Sequence, residues 1–149
     1  MKDAMENAKE ELKRIDHLIY VTLKYTRTVD VFLSVIERMI NSYEFIVDAL
    51  IKLAIHEGKL KKEPDSPLTK AHEIVRIYDS KKIKDNIEKY LVLRKLRRAN
   101  YEKSNEFRRH VTMAAIVESK VVEVNIDNIT EDFHELKEFI EYVDKRINQ

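Results

Sequence analysis

From Met5 onward, apolar or small residues return at alternating intervals of three and four. The column runs Met5, Ala8, Leu12, Ile15 and Ile19, then Thr22 and Thr26, then Val29, Leu33, Ile36, Ile40, Tyr43, Val47, Leu50 and Ala54. This spacing returns side chains to one helical face, as in a coiled-coil seam. A second column, Phe32, Met39, Ile46 and Leu53, widens the stripe in its later half. A stripe that wide meets more than one neighbour, so residues 29–56 are expected to form the central core helix. The column weakens at Thr22, Thr26 and Thr28, whose polar β-branched side chains favour helix boundaries. An unbroken helix over 3–57 would be about 80 Å long, so a break is expected at 26–28, with Thr28 or Asp30 capping the second helix.

Gly58, the only glycine, suits the left-handed position that ends a helix. After a polar loop, Ser66 reads as an N-cap with Pro67 at the first helical position. Leu68, Ala71, Val75 and Tyr78 give that helix its apolar face. Asp79 and Ser80 punctuate it. The next helix carries Ile83, Ile87, Tyr90, Leu91 and Arg94 along one side and is expected to run to about Phe107. Residues 111–126 change character: β-branched content and alternation at Val122, Val124 and Ile126 predict a hairpin turning at Glu118, Ser119 and Lys120. Asn128 and Glu131 have the spacing of a capping box. Behind them Phe133, Leu136, Ile140, Val143 and Ile147 define an amphipathic C-terminal helix. The expected fold is mainly α: one domain over 1–149, a bundle of four to five helices with a small β-hairpin near 111–126 before the last helix.

Composition narrows the chemistry. Charged residues make up 37% of the chain, against about 25% in typical domains. With 28 basic and 27 acidic residues the net charge is +1, which argues against binding nucleic acid by bulk charge but leaves a local patch open. High Lys and Glu content without cysteine is thermophile-like. The absence of Cys excludes disulfides and cysteine-ligated zinc. A single Gly excludes phosphate-cradling glycine loops and a serine nucleophile elbow. The five histidines are dispersed, and the pair His134 and Glu138, four apart, is a spacing common on charged helices, so neither metal nor cofactor is expected. The charged start has no signal-like apolar core, and Asp48 and Lys52 interrupt the most apolar stretch. A cytoplasmic protein without membrane spans is expected.

The richest chemistry lies in LVLRKLRRANYEKSNEFRRH, residues 91–110. Arg94, Arg97, Arg98, Arg108, Arg109 and His110, with Tyr101 among them, are candidates to contact phosphates and stack on bases. A competing role is pairing with the acidic C-terminal helix, within one subunit or across a dimer.

An amphipathic first helix, a core second helix, a loop and a helix bearing LRKLRRANY resemble the HEPN group of helical bundles. Such a resemblance implies a dimer, often acting on RNA. Ribonucleases of that group use an Arg followed four to six residues later by His. Here the positions after Arg97 and Arg98 hold Glu102, Lys103, Ser104 and Asn105, and His110 lies too far on, so the resemblance implies a non-cleaving member. Three functions are therefore expected in order: a non-enzymatic, dimeric interaction protein; an RNA- or nucleotide-binding protein using the Arg-rich helix; and a ribonuclease recruiting His110.

Overall fold

The computed structural model describes Met1–Gln149 and is mainly α with a small antiparallel sheet. In chain order, α1 (Lys2–His17) passes through a π-helical turn (Leu18–Thr22) into the short α2 (Leu23–Tyr25). Then come α3 (Val29–His56), α4 (Pro67–Ile77), α5 (Lys81–Arg98), strands β1 (Tyr101–Ser104), β2 (Thr112–Val117) and β3 (Lys120–Val124), and finally α6 (Ile126–Ile147).

As the double column predicts, α3 is the centre. It packs on α1, α4, α5 and α6 and touches β2. Val35, Ile40, Ile46, Leu50 and Ile51 are wholly buried. Small residues let α1 approach closely: the Ser42 hydroxyl donates to the Ala8 carbonyl at 3.1 Å. Glu11, also at this interface, is buried but meets Arg14 at 2.9 Å and Arg38 at 3.3 Å.

The chain breaks at 26–28 as expected, but the seam before it shifts. Ile15, Ile19 and Leu23 are buried, whereas Thr22 is half-buried and Thr26 exposed. Two successive steps of four residues suit a π turn, whose hydrogen bonds span five residues and so hold more residues per turn than an α-helix. Periodicity of 3.5 residues cannot anticipate such a turn.

Helix ends follow local chemistry. Gly58, at φ +76°, closes α3 in a Schellman arrangement: the Lys59 N–H donates to the Ala54 carbonyl at 2.8 Å and the Gly58 N–H to that of Ile55 at 3.1 Å. The Ser66 and Ser80 hydroxyls accept from the amides of Thr69 and Ile83 to start α4 and α5. The capping box of α6 lies three residues before the expected place. Asn125 is the N-cap and Asn128 its reciprocal partner, at 2.8 and 2.9 Å.

Helix α5 corrects a second expectation, because it stops at Arg98 rather than near Phe107. Its buried face continues from Tyr90 to Leu93 and Leu96, not to Leu91 and Arg94. The following residues form β1, a third strand beside the expected hairpin, in the order β1-β2-β3. Tyr101 pairs with Ala115, and Met113 with Val124, on the face turned to the helices. The hairpin turns through Glu118 and Ser119 with φ of 51° and 66°, the left-handed pair that a two-residue loop requires. No helix is long and apolar enough to cross a membrane.

Candidate nucleic-acid interface

The structure divides six of the seven candidate residues into two groups, with β1 and the seventh, Tyr101, between them in the chain. The first group sits on the last turns of α5. Arg94 serves the fold: its Nη1 donates to Glu44 Oε2 at 3.0 Å and to the Tyr90 hydroxyl at 3.0 Å. That hydroxyl itself donates to Glu44 at 2.7 Å, and burial followed by this carboxylate pushes the Tyr90 phenol up to about 12. Arg97 faces Glu37 at 3.4 Å. Lys95 pairs with Glu118 of the hairpin turn. Only Arg98 remains exposed and outside any ion pair, at one end of a shallow groove it shares with His72 and Leu68 of α4. Tyr101 is half-buried on β1 and packs against the core, so its ring is not presented for stacking.

The acidic C-terminal helix does not cover this stretch. Asp132 binds Lys89 at 2.9 Å, Glu138 meets Lys82 at 3.5 Å and Asp144 meets Lys9 at 3.0 Å. Helix α6 thus neutralises lysines of α1 and of the first half of α5 and leaves the arginines alone.

The second group, Arg108, Arg109 and His110, lies in the connection between β1 and β2, not on a helix. All three are exposed. Arginine ion pairs in this protein involve Arg14, Arg38, Arg76, Arg94 and Arg97. Arg27, Arg98, Arg108, Arg109 and Arg146 stand outside them, and of these Arg146 lies over the Tyr78 ring.

Two hydrogen bonds hold the connection on the α2–α3 junction. The Val29 amide donates to Glu106 Oε2 at 3.0 Å, and the Phe107 amide donates to the Arg27 carbonyl at 2.7 Å. Glu106 therefore caps α3 in place of Thr28, whose side chain makes no capping bond. The anchored backbone passes through the left-handed region at Asn105 and Phe107, φ 56° and 66°. For a bulky residue such as Phe107 that conformation is strained, and its ring nevertheless remains 74% exposed. Tyr25, two residues before Arg27, is 83% exposed. Strain held by specific anchors around an outward-facing aromatic is a pattern found at functional surfaces.

Sequence reasoning singled out the arginines of this loop but missed Tyr25 and Arg27. The available signal was the helix break at 26–28, flanked by an aromatic and a cation. Elsewhere, a cavity of about 400 Å³ between α1, α3, α4 and α5 is lined by Glu11, Glu44, Asp48, Lys70 and Tyr90. Its charges are already paired: Lys70 with Asp48 at 2.9 Å and Glu63 at 3.1 Å, Glu44 with Arg94, and Glu11 with Arg14 and Arg38. No group of three or more His, Asp or Glu is arranged to hold a metal ion. Comparisons with family models, with curated proteins and with solved structures find no match to this chain.

Proposed function

We propose that this protein binds single-stranded RNA, without cleaving it, through the loop between β1 and β2 and the adjoining α2–α3 junction. The observation that carries the reading is the concentration of unpaired cations, Arg27, Arg108 and Arg109, around two outward aromatic rings, Phe107 and Tyr25. Unpaired guanidinium groups attract phosphates, and exposed rings stack on bases that are not already paired. A double helix offers no free base faces to such rings, so the residues argue for a single strand, and the HEPN resemblance argues for RNA. Of the candidates read from the sequence, Arg108, Arg109 and His110 keep their role, Arg98 is an outlying phosphate contact, and Arg94, Arg97 and Tyr101 support the fold. The test is fluorescence anisotropy with a labelled single-stranded RNA, comparing the wild type with the double variant Arg108→Glu, Arg109→Glu. Binding should disappear in the variant while its thermal unfolding stays unchanged; binding that survives the reversal removes the loop as the site.

A second reading, a homodimeric interaction protein, is favoured by a different feature. The apolar stripe of residues 29–54 is consumed inside the subunit and offers no partner surface. On the outer face of the sheet, however, cross-strand neighbours Ile116 and Val121 are 58% and 67% exposed. Strand β3 pairs only with β2, leaving its other edge open to a second strand. Light scattering across a concentration series tests this reading: a monomer at every concentration removes it.

A further inference from the structure

Between the β1–β2 connection and the start of α6 lies a cavity of about 350 Å³. Arg27, Arg109, His110 and Thr112 line it on one side, Asn125 and Asp127 on the other. Two guanidinium groups and an imidazole thus face a single carboxylate in a partly open cavity, so cationic arginines outnumber acidic groups there. Arg27 adds a sharper observation: its Nε is the one buried side-chain nitrogen or oxygen in the protein that meets no hydrogen-bond partner. A buried donor left without an acceptor is costly, more so when it belongs to a charged group. What this cluster lacks within the chain is an anionic acceptor.

The surrounding contacts leave the cationic heads available. The Arg27 carbonyl is bound by Phe107, and the His110 carbonyl accepts from the Thr112 hydroxyl at 2.9 Å. Backbone at both Arg27 and His110 is therefore fixed while the guanidinium and imidazole groups engage no carboxylate. The start of α6 is not the source of the attraction, because Asn125 and Asn128 already cap each other.

We infer that this cavity is a pocket for a phosphate monoester and that it receives the terminal phosphate of a bound RNA strand. This inference rests on the RNA-binding reading and specifies its substrate class. An internal phosphodiester is linked on both sides and carries one negative charge. It suits an open surface such as Arg108 and Arg98. A terminal monoester is linked on one side only, carries close to two charges near neutrality, and fits end-on into a recess where two guanidinium groups can clasp it. The neighbouring rings of Phe107 and Tyr25 would then stack on the first bases of the strand.

The experiment measures anisotropy for four versions of one short single-stranded RNA: 5′-phosphate or 5′-hydroxyl labelled at the 3′ end, and 3′-phosphate or 3′-hydroxyl labelled at the 5′ end. One phosphorylated end should bind about tenfold or more tightly than its hydroxyl counterpart, the order of effect of a charge-assisted hydrogen bond. Arg27→Gln should erase that preference, bringing phosphorylated and hydroxyl-ended strands to the same affinity. Arg109→Gln, at an exposed position where folding is not at stake, serves as the second variant and should reduce the preference. Arg98→Gln should weaken all four strands alike. Equal binding of phosphorylated and hydroxyl strands by the wild type overturns the pocket and leaves RNA binding standing. Failure of every strand to bind overturns both.

Discussion

Replacing Glu106 by Ala should destabilise a helix nearly eighty residues away in sequence. Its carboxylate accepts from the Val29 amide at 3.0 Å, and Val29 is fully buried. Without it, the first amide of α3 loses its acceptor, since the Thr28 side chain offers none. Loss of an N-terminal cap costs about 1 kcal/mol and up to about 2 where the amide is shielded from water. For a domain of this size each kcal/mol lowers Tm by roughly 3 °C, so Glu106→Ala should melt about 3–6 °C below the wild type. Glu106→Gln keeps an oxygen acceptor and loses only the favourable charge at the helix N-terminus, about 0.3–1 kcal/mol; it should fall between the two. The alanine substitution also releases one of the two anchors that hold Phe107 at its strained φ, so RNA affinity should fall in Glu106→Ala beyond what the loss of folded protein explains. Differential scanning calorimetry and anisotropy at a temperature where both proteins are folded make the measurement. An alanine variant as stable as the wild type would refute the capping role, and a glutamine variant as weakened as alanine would refute the proposed geometry.

The packing and the charges lead to three further outcomes. Tyr90 keeps its proton up to about pH 12 because it is buried and bonded to Glu44, whereas an unfolded tyrosine ionises near 10. Its contribution is therefore complete below pH 10 and lost between about 10 and 12, and Tyr90→Phe should make the alkaline decline in chemical-denaturation stability less steep. Asn125→Ala removes the side-chain acceptor of the Asn128 amide in the α6 capping box, leaving the bond from its own N–H to Asn128, and should cost about 1 kcal/mol in the same assay. Val121→Lys, at a 67% exposed position, should abolish any concentration-dependent dimer in sedimentation velocity without lowering Tm. A dimer unaffected by Val121→Lys would place the interface elsewhere.

Much of the fold is legible in the chain because burial writes a period into it. The columns through α3 and α6 name buried residues almost one for one, and Gly58, Ser66 and Ser80 mark helix ends by their own backbone and side-chain chemistry. The misreadings occur where that signal is thin. Strand β1, Tyr-Glu-Lys-Ser, has one apolar residue, and no Gly or Pro separates it from α5; what ends the helix is pairing with β2, a contact roughly ten residues away in sequence. The π turn preserves burial at Ile19 and Leu23 by changing the period itself. The candidate site suffered for the same reason: an α5 extended to about Phe107 ran Arg94 to Tyr101 along one helix up to the arginines at 108 and 109, whereas the strand divides them and brings the loop to Arg27. Local pattern cannot reveal a site assembled by a bond from residue 107 to residue 27.

The central claim, that unpaired cations of the loop engage phosphates of a single strand, is tested most directly by the salt dependence of RNA affinity. With Arg27, Arg108 and Arg109 on phosphates, log K should fall with log salt at a slope of about −2, and each arginine replaced by Ala should flatten it by about 0.7. A slope near zero, or one that Arg108→Ala and Arg109→Ala leave unchanged, would contradict the account.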